Sequence, residues 1–211
     1  MTQKPLAADL CNKIFFQCIH DYHTKDSVDA EMVNPYKLDE EFIENLLYHK
    51  NWIDTVQWHL EDIIRDPEID PVEGIKIKRR IDRSNQMRND TVEKIDEWLL
   101  KAFEKLLIKK TSNAKMNSES PAWIIDRLSI LCLKIYHMEV EIERTDASPE
   151  HRVSCARKLD LLSQQLADLT NCFNELMEEI IQGDKFMKVY RQMKMYNDPS
   201  MNPTLYKNAP K

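Results

Sequence analysis

Gly74 and Gly183 are the only glycines among the 211 residues of this chain. That scarcity constrains the fold more than any other feature. Sheet-rich architectures turn their strands on residues that accept a positive φ, and glycine is the main supplier of that conformation. Loops that cradle phosphate through backbone amides need several glycines at fixed spacing. With two glycines neither device can recur, and helices remain. Charged residues at 31% and hydrophobic residues at 42% give the balance of a helical protein with wet outer faces. The length suffices for one large domain with a substantial core.

Apolar periodicity lays out the helices. Over residues 5–23, Leu6, Leu10, Ile14 and Cys18 recur at i+4, and a polar connection follows from Thr24 to Tyr36. Asp39 is expected as the N-cap of a second helix, with Leu38 and Ile43 as its hydrophobic staple. That helix runs to about Asp66, where Pro67 denies its predecessor an easy helical conformation. Asp70-Pro71-x-Glu73 supplies an N-cap carboxylate, a first-turn proline and a capping-box glutamate, and opens a third helix reaching about Lys110.

Residues 111–120 read as a polar linker. Ser120-Pro121 opens a fourth helix, apolar on most sides and therefore central. Ser148-Pro149-Glu150 opens a fifth, which carries a 4-3 stripe of Cys155, Leu159, Leu162, Leu166, Leu169, Phe173, Leu176 and Ile180. Gly183 ends it as a left-handed cap residue. A short helix bearing Phe186, Val189, Tyr190 and Met193 is expected next, then an extended, mobile tail over 197–211. The expected architecture is all-α: an antiparallel helical bundle of about five main helices, a short C-terminal helix and a tail, in a single domain over 1–211.

The formal charge of -6 disfavours nucleic acid as a partner. The basic run of Lys76, Lys78, Arg79, Arg80 and Arg83 reads as a solvated helix face. None of the 5 cysteines forms a C-x-x-C pair and each falls in a predicted helix, as reduced thiols would. No stretch approaches the ~18 consecutive apolar residues of a membrane span, and Met1 to Leu10 lacks the apolar core of a signal peptide. The expectation is a cytoplasmic protein without membrane contact. No G-x-S-x-G or H-E-x-x-H occurs, and Cys/His spacing supplies no zinc motif.

The chemistry concentrates in the hairpin from Asn51 to Asp96. Projected at about 100° per residue, Trp52, Ile53, Val56, Leu60, Ile63 and Ile64 gather on the core side of the second helix. The other side collects Asn51, Asp54, Thr55, Trp58, Asp62 and Arg65, with His59 and Glu61 at its borders. Long Lys and Glu side chains would normally fill a solvated face. Short acidic and amide groups around a tryptophan imply a covered one. On the third helix Asn85 and Arg88 lie within the apolar arc. With the bend near Asp70, His59 stands level with Asp82, Thr55 with Asn85, and Asp54 with Arg88. An Asp54–Arg88 pair is expected, because the planar guanidinium fork suits a carboxylate. Asp126 and His137 of the fourth helix project toward the same space.

Several stretches carry a family resemblance. They include Lys50-Asn51-Trp52-Ile53-Asp54, Trp58-His59-Leu60-Glu61-Asp62-Ile63-Ile64-Arg65-Asp66-Pro67 and Lys78-Arg79-Arg80-Ile81-Asp82-Arg83-Ser84-Asn85-Gln86. Ile125-Asp126-Arg127-Leu128 and Lys134-Ile135-Tyr136-His137-Met138 complete the set. Together it resembles a bacterial family known as a domain of unknown function, number 4254 in that series. The resemblance implies a setting near surface-glycan glycosyltransferases and brings no activity or catalytic residue.

Two functional readings follow. In the first, the hairpin is a polar cleft for an anionic, phosphorylated small molecule. Asn51, Asp54, Trp58, Arg65, Lys78, Asn85, Arg88 and Asp126 bind it, and Glu61, Asp62 and Asp82 hold Mg or Mn through oxygen. His59 or His137 then serves as general base, and the enzymatic version is a hydrolase or transferase. Glu93-x-x-Asp96 matches half the pattern of helical nucleoside triphosphate pyrophosphatases, but Glu61 and Asp62 have Ile64 and Arg65 at i+3, so the other half is missing. In the second, the protein is a helical adaptor that forms a homodimer or docks on a partner protein such as a glycosyltransferase.

Overall fold

The computed structural model describes residues 4–36, 42–191 and 198–207. Its elements are α1 (Ala8–His23), α2 (Ile43–Ile63), α3 (Pro71–Lys105), β1 (Lys115–Met116), α4 (Pro121–Glu143), α5 (Pro149–Gln182), β2 (Lys185–Phe186) and α6 (Pro203–Lys207). The fold is all-α, with one two-stranded parallel ribbon between β1 and β2.

Local chemistry sets the helix ends. The Asp70 carboxylate accepts from the amides of Val72 and Glu73 and so caps α3, whose first residue is Pro71. Ser148 caps α5 by accepting from the His151 amide. Gly183 closes α5 at φ 82°. The start of α4 is built differently. Ser120 donates its hydroxyl to Asp96 on α3 at 2.7 Å, and the same carboxylate accepts from the Ala122 amide. A side chain from α3 thus caps α4.

Four boundaries differ from the expectation. The expected cap Asp39 and staple Leu38 lie outside the described residues, and α2 is helical from Ile43. α3 stops at Lys105, with Leu107 at φ 51°, short of Lys110. Residues 187–191 are not helical; Phe186 sits in β2, with Lys110 Nζ 3.9 Å over its ring, and Met193 is outside the described residues. The linker over 111–120 is tied down: the Thr111 amide donates to Gly183 O, Lys115 to Asp184 O and Asn117 to Phe186 O, each at 2.9 Å. Pairing with β2 satisfies backbone groups that a free linker would leave to water. The tail holds the short helix α6.

α4 packs chiefly on α5, α2 on α3, and α1 against both α2 and α4. Phe15, Tyr22, Leu47, Tyr48, Leu99 and Phe173 anchor the core. α4 is buried along most of Pro121–Ile135, as its apolar faces require. From Ile43 to Thr55, α2 is almost as enclosed, although it carries Asn45, Lys50, Asn51, Asp54 and Thr55. Burying these groups is tolerable only where partners meet them. Those partners define the centre of the molecule.

Candidate functional site

Lys50 has no exposed surface and bridges two carboxylates. Its ammonium pairs with Asp54 one turn on and lies 2.9 Å from Asp126 Oδ1 on α4. Arg88 of α3 grips Asp126 with both arms of its fork, Nε to Oδ1 at 2.8 Å and Nη2 to Oδ2 at 2.5 Å. Arg88 Nε also stands 3.5 Å from Asp54 Oδ1. The Asn51 amide donates to Ser129 Oγ at 2.9 Å, and Ser129 donates to Asp54 Oδ2 at 2.5 Å. Two cations and two carboxylates are therefore interlocked among α2, α3 and α4. Burial pushes the Asp54 carboxyl above its ordinary value against the pull of Lys50 and Arg88. In Asp126 burial is outweighed by the Arg88 hydrogen bonds and the Lys50 charge, and its carboxyl lies below the ordinary value.

The network floors an open cleft. A cavity of about 290 Å³ is lined by Asp54, Gln57, Trp58, Glu61, Asp62, Arg65, Arg88 and Ile130. Asp54 Oδ1 and Gln57 Oε1 are buried acceptors without a hydrogen-bond partner among the described residues. Arg65, on the rim just past the end of α2, is tied back to Glu61 in the last turn of that helix. A second groove, of about 600 Å³ along α4 and α5, shares Arg88 and Ile130 with the first and adds Arg127 and Lys134.

Behind the cleft lies an aromatic and imidazole cluster. Trp58 stacks on His137 at 4.7 Å and 6°. His59 stacks on Tyr22, and its Nε2 is 3.2 Å from His23 Nε2. His23 fixes its own ring through Nδ1, 2.7 Å from Ile19 O. Burial, then the neighbouring His23, lowers the pKa of His59; burial with His23 and His59 lowers that of His137 to about 4. Both shifts favour the neutral ring.

The structure gathers Asn51, Asp54, Arg88 and Asp126 in the network, and Trp58, Glu61, Asp62 and Arg65 around the cleft. It moves others elsewhere. The guanidinium fork of Arg88 goes to Asp126, while Asp54 is held chiefly by Lys50. Asn85 receives the Gln57 amide at 2.9 Å, and Thr55 donates instead to Asn51 O. His59 meets His23; Asp82 is on an exposed surface paired with Lys78, apart from the cleft. Glu61, Asp62 and Asp82 do not converge on a common point, since the one group of three or more close His, Cys, Asp or Glu ligand atoms among the described residues is His23, His59 and His137. Matching levels along two helices fixes height but not rotation about each axis, and α2 turns this face toward α1 and α4.

Sequence reasoning passed over Lys50, Gln57, Ser129 and His23. The i, i+4 spacing of Lys50 and Asp54 was a usable signal. Ser129 and His23 have no local signature at all, because their partners come from distant helices.

A family model described as "Protein of unknown function (DUF4254)" matches residues 44–189, from the first turn of α2 to just beyond β2. No curated protein and no solved structure matches the chain.

Proposed function

The chain belongs to the DUF4254 family, and from its own residues we propose that the hairpin cleft binds a small polyhydroxylated molecule bearing an anionic group, a sugar phosphate by class. The carrying observation is the pair of buried acceptors that receive no hydrogen bond, Asp54 Oδ1 (met only by Arg88 Nε at 3.5 Å) and Gln57 Oε1, at a cleft that also presents Arg88. An acceptor left unmatched in a buried setting costs about 1–3 kcal/mol, so an occupant that donates O–H groups is favoured. Trp58 offers an aromatic wall against which the apolar face of a sugar ring packs. Asp62 and Glu61 add acceptors for further hydroxyls, and Arg88 and Arg65 face the anionic group. The size suits a ligand of one or two rings. A glycan-related ligand accords with the bacterial, cytoplasmic setting that we propose from the family resemblance and the free cysteines.

The test is thermal unfolding of the full chain with hexoses, hexose phosphates and nucleoside diphosphate sugars. A hexose phosphate at about a hundredfold its Kd is expected to raise Tm by roughly 5–10 °C. Gln57→Ala should largely abolish that shift while leaving the unliganded Tm close to wild type, because Gln57 is half-buried and outside the ion network. Absence of a shift with every compound sinks the reading, as does a shift that Gln57→Ala leaves intact.

The adaptor reading rests on a different observation. Val140 near the end of α4, and Val153 and Leu161 in the first half of α5, are 43%, 53% and 61% exposed. Large apolar side chains left exposed on two helices that pack together offer a partner surface to cover. A second copy or a partner enzyme covering them would appear in analytical ultracentrifugation as a species heavier than the monomer, which Leu161→Lys would abolish. A purely monomeric protein that also recovers no partner from extract would exclude it.

A further inference from the structure

We propose that His23, His59 and His137 form a site for one divalent transition-metal ion, zinc first among them, with a fourth coordination position left to solvent. The residues arrive from the last turn of α1, from α2 and from α4. One ring nitrogen of each lies within 4.8 Å of those of the other two.

The spacing fits coordination. Two nitrogens bound to one tetrahedral zinc at 2.0–2.1 Å stand about 3.3 Å apart. His23 Nε2 and His59 Nε2 stand 3.2 Å apart. The protonation pattern fits as well. His23 Nδ1 faces the Ile19 carbonyl at 2.7 Å, so that nitrogen carries the proton and Nε2 presents its lone pair toward His59. A metal-binding histidine commonly has its other nitrogen fixed in this way by a carbonyl or carboxylate. His137 Nε2 is buried and has no hydrogen-bond partner among the described residues. A ring nitrogen in that position gains more from a metal bond than from any neighbour present.

The rings are held in place before any ion arrives. Trp58 stacks on His137, Tyr22 on His59, and Tyr136 lies 4.2 Å from His23 between centroids. Side chains locked by packing lose little freedom on coordination. Asp26 Oδ1, 3.8 Å from His59 Nε2 on the solvent side, supplies a counter-charge. Three imidazoles favour zinc or its transition-metal neighbours over magnesium or calcium, which take oxygen ligands. Three nitrogens and one open position form the arrangement in which zinc binds and activates water. The inference is independent of the sugar-phosphate reading, since it concerns other residues and its probe is the metal alone.

The experiment titrates the full chain, stripped with chelator, first with Co²⁺ and then with Zn²⁺. One equivalent of Co²⁺ is expected to produce the visible d–d absorption of a tetrahedral site, and one equivalent of Zn²⁺ to bleach it. His59→Asn and His137→Asn should each lose the absorption and weaken binding by more than about tenfold. His20→Asn, on an exposed part of α1, should change neither. Circular dichroism melts establish that each variant is folded. For the wild type, nitrogen NMR of the imidazoles gives a readout without substitution: zinc should shift the ring nitrogens of three of the six histidines. Stoichiometric Co²⁺ without absorption, binding unchanged in His59→Asn, or imidazole signals indifferent to zinc would overturn the site. The His23–His59 contact would then be an N–H···N hydrogen bond and nothing more.

Discussion

Lys50 is the residue on which the interior depends most. An ammonium with no exposed surface survives because two carboxylates and their hydrogen bonds replace its water. Replacing it by methionine keeps the aliphatic stem and removes the charge, leaving Asp54 and Asp126 to share Arg88. Lys50→Met is expected to lower unfolding free energy by about 3–5 kcal/mol in urea titration. Adding Asp54→Asn should recover part of that loss; a strictly additive double variant would show that the two residues are not coupled. The two glycines make a contrasting pair. A Cβ on Gly183 would meet Lys109 O at 2.2 Å, on a backbone already at φ 82°. A Cβ on Gly74 would find Ile64 Cδ1 at 3.6 Å, an ordinary contact. Gly183→Ala should therefore cost at least ~2 kcal/mol, and Gly74→Ala should gain ~0.5–1 kcal/mol through helix propensity. Equal effects at the two positions in a thermal melt would refute this account.

Among the elements, α4 has the unusual start. Its N-terminal amide and its Ser120 hydroxyl both depend on Asp96 of α3. Burial raises the Asp96 pKa from 3.8 to about 6, although the Ser120 and Ala122 hydrogen bonds oppose the change. The folded state therefore holds this proton more tightly than the unfolded chain. The resulting stability is fully present below the unfolded pKa of 3.8 and is lost as pH rises through about 6. At about 1.4 kcal/mol per unit the effect is roughly 3 kcal/mol. Asp96→Asn keeps an acceptor for both donors without the titration, so its stability should stay level across that window while wild type declines. Parallel pH profiles for the two proteins would show that Asp96 does not titrate there. α5 teaches a different lesson. Its stripe is deeply buried at Phe173, Leu176 and Ile180 but only half-buried at Leu159 and Leu162. A regular spacing indicates which face is inward, not how much neighbour is present to cover it.

In the whole molecule, the helices were readable because proline, acidic caps and apolar periodicity act locally. The starts of α3, α4 and α5 at Pro71, Pro121 and Pro149 follow directly from such signals. The ribbon of β1 and β2 was not readable, since its two residues per strand acquire meaning only when positions 115 and 185 meet. The site divides in the same way. Arg88 stood out within an apolar arc, Asp54 on a face too short in its side chains to be solvated, and Asp126, His59 and His137 by projection, whereas no sequence spacing ties His23 to the other two histidines. The interlocked charges also govern the order of assembly. Lys50 and Asp54 are made early, but Asp126 and Ser129 follow some seventy residues later. Until α4 leaves the ribosome, the first three helices set two cations, Lys50 and Arg88, against the single carboxylate of Asp54, and water must supply the rest. Closing early would strand those charges in an apolar space, so a nascent chain of three helices should stay loose. A fragment ending at residue 120 should accordingly show helical circular dichroism without a cooperative melt. A sharp melt would mean that the hairpin closes before its cover has been synthesised.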